Sequence, residues 1–188
     1  MSALWTVSVL LAIVVVANSV AVIALTRQVG LLHLRAAPLH RHQPPDGPRP
    51  GSRLRLDLAG FLGAGTAPDL VLLGFLRPSC SACAAVLPAF AAVASALTGS
   101  ERVLLVSDAN EASTRDYLAA HGVSLPLATG PHLLSANAIP AIPYAVVADA
   151  AGNVLAADSA ASADQLHELM SNARQSRQTD SKENGYVA

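Results

Sequence analysis

A chain of 188 residues that is 52% hydrophobic and only 13% charged, with a mean hydropathy of +0.42, is too apolar for a purely soluble domain and calls for a membrane segment. The net charge of −1 is unevenly spread: residues 27–55 hold six arginines against one acid, Asp46, and the rest of the chain holds six basic residues and twelve acids. The globular part is therefore acidic, which argues against nucleic-acid binding.

From Leu4 to Leu25 there is no charge, and only Thr6, Ser8, Asn18 and Ser19 are polar. A helix rising ~1.5 Å per residue over that run spans a hydrocarbon core of ~30 Å. A cleaved signal peptide is the rival reading, but Met1-Ser2-Ala3 lacks its basic start and the apolar run is long for one. Residues 1–35 are thus read as a transmembrane anchor with a short exit helix, in contact with the lipid bilayer through residues 4–25. Residues 36–53 follow as a Pro/Arg/His-rich linker. Pro38, Pro44, Pro45, Pro48 and Pro50 prevent helix and favour extended chain. The basic residues there meet anionic headgroups or simply solvate the linker. His40 and His42 have no further ligands nearby in the sequence to complete a metal site.

A globular domain is expected over 54–173, large enough for one core. Leu54–Leu58 reads as a short strand. Val71–Leu76 is an almost unbroken apolar run and reads as a buried central strand. Ala84–Leu97 is helical and stops at Gly99. Arg102–Ser107 is a strand, and Asn110 caps a helix that closes at His121-Gly122. Ser124–Ala128 is extended and Pro131–Asn137 a short helix. Tyr144–Ala148 is a strand that turns through Asp149–Asn153 into Val154-Leu155. Ser162-Ala163-Asp164-Gln165 has the form of a capping box for a last helix, with Leu166, Leu169 and Met170 on its inner face. Residues 174–188 are polar and read as a disordered tail. The pattern is an α/β sandwich: a mixed central sheet with helices on both faces.

Cys80 and Cys83 are the only cysteines, and they fall where the strand ends and the helix begins. Two intervening residues let both sulfurs share one turn, so a reversible disulfide is easy to form. At the first turn of a helix, the dipole and free N–H groups stabilise a thiolate at Cys80. Structural zinc wants four ligands, and His121 and His132 are far apart in the sequence. A purely structural disulfide would close a very small loop and remove little unfolded-state entropy. Thiol–disulfide exchange is the expected chemistry, with Cys80 as exposed nucleophile and Cys83 as resolving thiol. Arg77, three residues earlier, either lowers the Cys80 pKa by attraction or is a solvated residue at a strand end.

The strand running into Cys80-Ser81-Ala82-Cys83, Pro88 five residues later, Ile142-Pro143-Tyr144 ahead of a strand, and the turn Asp149–Asn153 together resemble the thioredoxin fold in its membrane-tethered bacterial branch. The resemblance covers about 54–173. The helix exit Arg27-Gln28-Val29-Gly30-Leu31-Leu32-His33 and Pro143-Tyr144 resemble the thioredoxin-like accessory protein family of methylamine dehydrogenase maturation. That resemblance implies a catalytic set of Cys80, Cys83 and a cis Pro143 facing the dithiol, with Ile142, Tyr144 and Ser79 touching the client chain. An ordinary trans Ile142-Pro143 loop is the alternative. It further implies a thiol–disulfide oxidoreductase with no cofactor or metal, an extracytoplasmic disulfide-containing client, and a membrane or periplasmic redox partner. Two other readings stay open: a carrier holding copper(I) on the two thiols, and a peroxiredoxin-type peroxidase, which would want Thr or Ser where Arg77 stands. The chain departs from thioredoxin at Ser79, where a Trp is usual, and at Gly74, where a buried Asp is usual, so the proton path of the resolving thiol is unassigned.

Arg27 and Arg35 follow the apolar run and no Lys or Arg precedes it, so the positive-inside rule favours a cytoplasmic domain. The resemblance implies the opposite side, and a dithiol oxidant belongs in an oxidising compartment. The expectation adopted is a single-pass protein of the bacterial cytoplasmic membrane with its domain outside the cytoplasm.

Overall fold

The computed structural model describes residues 47–62 and 68–184, together with Trp5. The expected anchor, its exit helix and the His40/His42 stretch lie outside the described globular residues. Among the described residues no helix is long and apolar enough to cross a membrane.

The elements follow one another as α1 (Leu58–Leu62), β1 (Leu70–Phe75), α2 (Ser81–Ala96), β2 (Glu101–Ser107), α3 (Glu111–Ala120), β3 (Leu127–Thr129), α4 (Leu133–Ala136), β4 (Tyr144–Asp149), β5 (Val154–Ser159) and α5 (Ala163–Asn184). One sheet has the order β3-β2-β1-β4-β5. β1 is parallel to β2 and antiparallel to β4, so the sheet is mixed as expected. β1 is central, and all six of its residues are buried; a strand covered on both faces needs apolar side chains in both directions.

Period-two alternation sorts the strand side chains between two cores. Leu70, Leu72, Val103, Leu105, Ala145 and Val147 share one face with Val86, Leu87 and Phe90 of α2, Leu118 of α3, and Leu166 and Met170 of α5. Val71, Leu73, Phe75, Leu104, Val106, Tyr144 and Val146 share the other with Leu54, Leu58 of α1 and Leu134 of α4. The order explains the split. β1, β2 and β3 step in one direction across the sheet, so two successive right-handed crossovers put α2 and α3 on the same face. The return to β4 carries α4 across the other.

Local chemistry sets the helix ends. Asn110 Oδ1 accepts the N–H groups of Ala112 at 2.9 Å and Ser113 at 3.4 Å, and α3 closes at Gly122, whose φ of 67° suits a residue without Cβ. At α5, Ser162 Oγ accepts the Gln165 N–H at 3.3 Å while Gln165 Oε1 accepts the Ala161 N–H at 3.0 Å. The two side chains thus cap reciprocally, as the sequence predicts.

Three boundaries differ from the sequence expectation. Leu54–Leu58 is not a strand: Asp57 Oδ1 accepts the Gly60 N–H at 3.3 Å and a short helix begins at Leu58. The folded unit also starts before residue 54. The Gly51 N–H donates to Val154 O, the Val154 N–H to Ser52 O and the Leu54 N–H to Gly152 O, all at 2.8 Å, so the end of the Pro-rich stretch is a strap on the start of β5. Prolines 48 and 50 lack amide donors, but Gly51 and Ser52 supply the pairing that the β5 edge needs. At the other end, α5 continues to Asn184 instead of stopping near Ala173. Arg174 grips Glu101 through two hydrogen bonds of 2.7 Å and Arg177 donates to Asp69 at 2.8 Å. Arginines that read as a polar tail thereby dock the helix onto the entries of β1 and β2.

Candidate functional site

The site forms at the C-terminal edge of β1. Leu76 donates its N–H to Val106 O at 3.0 Å and is the last residue tied to the sheet. The chain then turns, with the Cys80 N–H donating to Arg77 O at 3.1 Å, and α2 begins. Cys80 is the N-cap of α2 in an extended conformation, and its sulfur accepts the Cys83 N–H at 3.2 Å. A helix N-terminus presents unpaired N–H groups and partial positive charge, so a thiolate here is stabilised by geometry alone. α2 has no charged residue in its sequence to compete with that field.

Cys80 and Cys83 are joined as a disulfide with Cα atoms 5.2 Å apart. Their accessibilities differ in the way their expected roles require: Cys83 is 0% exposed and packs in the core with Val86 and Leu87, whereas Cys80 is half-buried. Pro88 lies inside α2 on its exposed side and cannot donate to the preceding turn. The buried stripe Cys83, Val86, Leu87, Phe90 and Val93 continues past it.

The Ile142-Pro143 bond is cis, and the loop faces the dithiol: Ile142 O is 4.0 Å from Cys80 Sγ. The Pro143 carbonyl accepts the Ala160 N–H at 3.2 Å, anchoring the loop to the residue that follows β5. Ser79 is exposed beside Cys80, and Ile142 and Pro143 are half-buried. Four of the residues read from the sequence, Ser79, Cys80, Ile142 and Pro143, thus share one surface, with Cys83 directly beneath.

Two residues are placed otherwise. Tyr144 is 1% exposed, and its ring belongs to the core on the sheet face away from Cys83. An ideal Cβ on Gly47 would fall 2.6 Å from the Tyr144 hydroxyl, so the strap closes directly over it. The hydroxyl has no hydrogen-bond partner among the described residues, and burial, with Asp158 nearby, pushes its pKa up. Its expected contact with a client is corrected: Tyr144 opens β4, and period two sends its side chain to the core on the sheet face away from Cys83.

Arg77 does not point its charge freely at Cys80. Its Nε donates to Asp108 Oδ1 at 2.7 Å and its Nη2 to Oδ2 at 2.5 Å. That bidentate grip holds the Asp108 carboxyl below its usual range, with His132 adding a smaller pull, and raises the Arg77 pKa in return. Asp108 is the residue sequence reading missed. Its signal was the register: Phe75 pairs with Val106, so residues two further on, Arg77 and Asp108, leave the sheet side by side. The position of the usual thioredoxin carboxylate is filled by hydrocarbon. An ideal Cβ on Gly74 would lie 2.7 Å from Cε1 and Cζ of Phe90, so the ring occupies that space. Among the described residues no three His, Cys, Asp or Glu side chains gather as a metal site.

No protein-family model matches the chain. It is 30% identical over 166 residues to the methylamine utilization protein MauD of Methylophilus methylotrophus, covering 81% of this chain and 76% of that protein. It is 32% identical over 143 residues to MauD of Methylobacillus flagellatus, covering 69% and 67%. Among solved structures, it is similar to the thioredoxin domain of a thiol-disulfide oxidoreductase from Bacteroides vulgatus, with a TM-score of 0.51 and 17% identity over 64% of this chain and 96% of that one. It is also similar to a thiol-disulfide isomerase from Corynebacterium glutamicum, with a TM-score of 0.52 and 14% identity over 63% and 96%. These likenesses establish the α/β domain as thioredoxin-like in fold.

Proposed function

The chain belongs to the MauD family of methylamine utilization proteins, and from that premise we propose that it is a membrane-tethered thiol–disulfide oxidoreductase acting on an extracytoplasmic client. The observation that carries the reading is the asymmetry of the dithiol: Cys80 is half-buried at a helix N-cap, Cys83 is fully buried one turn on, and the carbonyl of Ile142 lies 4.0 Å from the outer sulfur. In the disulfide form a client thiolate attacks Cys80 Sγ. The Cys80–Cys83 bond breaks, Cys83 leaves as a thiolate, and a mixed disulfide joins the client to Cys80. A second client thiolate attacks the client sulfur of that bond, forming the client disulfide and releasing Cys80 as a thiolate. Two electrons pass from client to chain. The same steps in reverse start from the Cys80 thiolate and reduce a client disulfide, with Cys83 resolving the intermediate.

The uncharged run Leu4–Leu25 supports the tether, and the oxidising conditions a stable dithiol oxidant needs support an extracytoplasmic domain. The relatives' name supports a client within the machinery of methylamine utilization. The test is trapping. Cys83→Ser should accumulate a dithiothreitol-sensitive adduct on Cys80, Cys80→Ser should accumulate none, and the unsubstituted chain should reduce insulin disulfides. An adduct on Cys83 in the Cys80→Ser protein, with none on Cys80, would reverse the roles; no insulin reduction and no adduct would end the redox reading. Protease added to intact spheroplasts should digest the domain, and protection until lysis would place it in the cytoplasm.

A further inference from the structure

We propose that Asp108 is a positioning residue for the dithiol: it captures the guanidinium of Arg77, cancels that charge beside Cys80, and so holds the thiol less acidic and the disulfide less oxidising than Arg77 alone would make them. The inference rests on the redox reading above and assigns a regulator to the same site. Arg77 is doubly committed to the nucleophile's turn. Its carbonyl accepts the Cys80 N–H at 3.1 Å, while its guanidinium bridges to Asp108 at the end of β2. A closed four-residue turn keeps its end Cα atoms within ~7 Å, so the backbone of Arg77 shares the turn of Cys80 and the bridge is anchored at the same edge of the sheet. Of the described segments that flank Cys80, α2 has no ionic side chain in its sequence and Pro140–Pro143 is uncharged. His132, at the start of α4, acts on the same carboxylate. The Asp108 side chain is 19% exposed and that of Arg77 46%, so the bridge is partly shielded from water at its acidic end.

The signs follow from the charges. Asp108→Asn unmasks a cation, which favours the Cys80 thiolate, lowers its pKa and favours the reduced form. Arg77→Gln unmasks an anion and does the opposite. One unpaired charge at ~10 Å near a protein surface is worth about 0.3–1 pH unit, or about two- to tenfold in the thiolate-to-thiol ratio. The measurement uses the full-length chain in detergent. The Cys80 pKa is read from thiolate ultraviolet absorbance in a Cys83→Ser background, and the equilibrium with glutathione is read in the intact dithiol. Opposite shifts in the two single variants, with the double variant returning to the parent value and Asp108→Glu staying close to it, support the proposal. A merely structural bridge would move both singles in the same direction or change only stability, and either result, or no shift at all, overturns it. Both readouts are independent of catalysis: failure to reduce insulin with the opposite shifts intact would sink the functional reading alone, whereas reduction without the shifts would sink this one.

Discussion

The N-terminal strap gives the sharpest test of where the folded unit begins. Two soluble fragments differ only in their start, one at Gly47 and one at Leu54, and both end at Ala188. The shorter fragment loses the Gly51 N–H to Val154 O bond and the Val154 N–H to Ser52 O bond, and turns the Leu54 N–H that donates to Gly152 O into a charged terminus. The two lost backbone hydrogen bonds at about 1 kcal/mol net each come to about 2 kcal/mol, while the Leu54 ammonium remains a donor to Gly152 O. Uncovering Tyr144 adds nothing to that sum, because the apolar edge it exposes is offset by water reaching a hydroxyl that has no partner among the described residues. A loss of about 2 kcal/mol is a large share of the ~5–15 kcal/mol that holds a typical domain. With a urea slope of about 1.5–2 kcal/mol per molar, it lowers the midpoint by about 1–1.3 M. The chain's single tryptophan, Trp5, is absent from both fragments, so unfolding is followed by far-ultraviolet circular dichroism. Midpoints that agree within about 0.3 M would refute the reasoning and restore residue 54 as the start of the domain.

Further outcomes follow from single side chains. Gly74→Ala forces a methyl against the Phe90 ring, where an ideal Cβ already lies at 2.7 Å; overpacking should cost about 1–3 kcal/mol in denaturant unfolding, and an unchanged midpoint would show that the ring can move aside. Tyr144→Phe removes a buried hydroxyl with no partner among the described residues, so stability should hold or rise slightly and insulin reduction should persist; a selective loss of client exchange would return Tyr144 to the binding surface. The Arg77 bridge also makes stability depend on acid. The Asp108 pKa is lowered in the folded state, so its contribution is present above the unfolded carboxyl pKa of ~3.9 and is lost as pH falls through the depressed folded value. Urea midpoints of the parent and Asp108→Asn should therefore differ at neutral pH and converge in acid, and a gap that persists in strong acid would contradict the bridge.

Features whose cause is local are legible in the sequence itself. The almost unbroken apolar run Val71–Leu76 reads as a strand buried on both faces, and a pair of cysteines at the junction of that strand with an Ala-rich helix reads as sharing a helix N-terminus. Asn110 and the Ser162/Gln165 pair carry capping chemistry within four residues of the groups they satisfy. Tertiary structure decided whatever depends on partners far apart in the chain. The alternation Leu54, Leu56, Leu58 looks like a strand until Asp57 caps a helix. Gly51 and Ser52 look like linker until the edge of β5 offers them hydrogen bonds about a hundred residues away in sequence. Arg174 and Arg177 look like tail until Glu101 and Asp69 pair with them. Composition records how many charges a chain holds, but strand register decides which of them meet. The parallel pairing of Phe75 with Val106 sets Arg77 beside Asp108, and the pleat of β4 turns Tyr144 into the core while the Ile142 carbonyl lies at the dithiol. Side-chain chemistry at Cys80 follows from its neighbours in sequence; the partner of Arg77, three residues before it, is a carboxylate 31 residues further along the chain, which only the assembled sheet brings near.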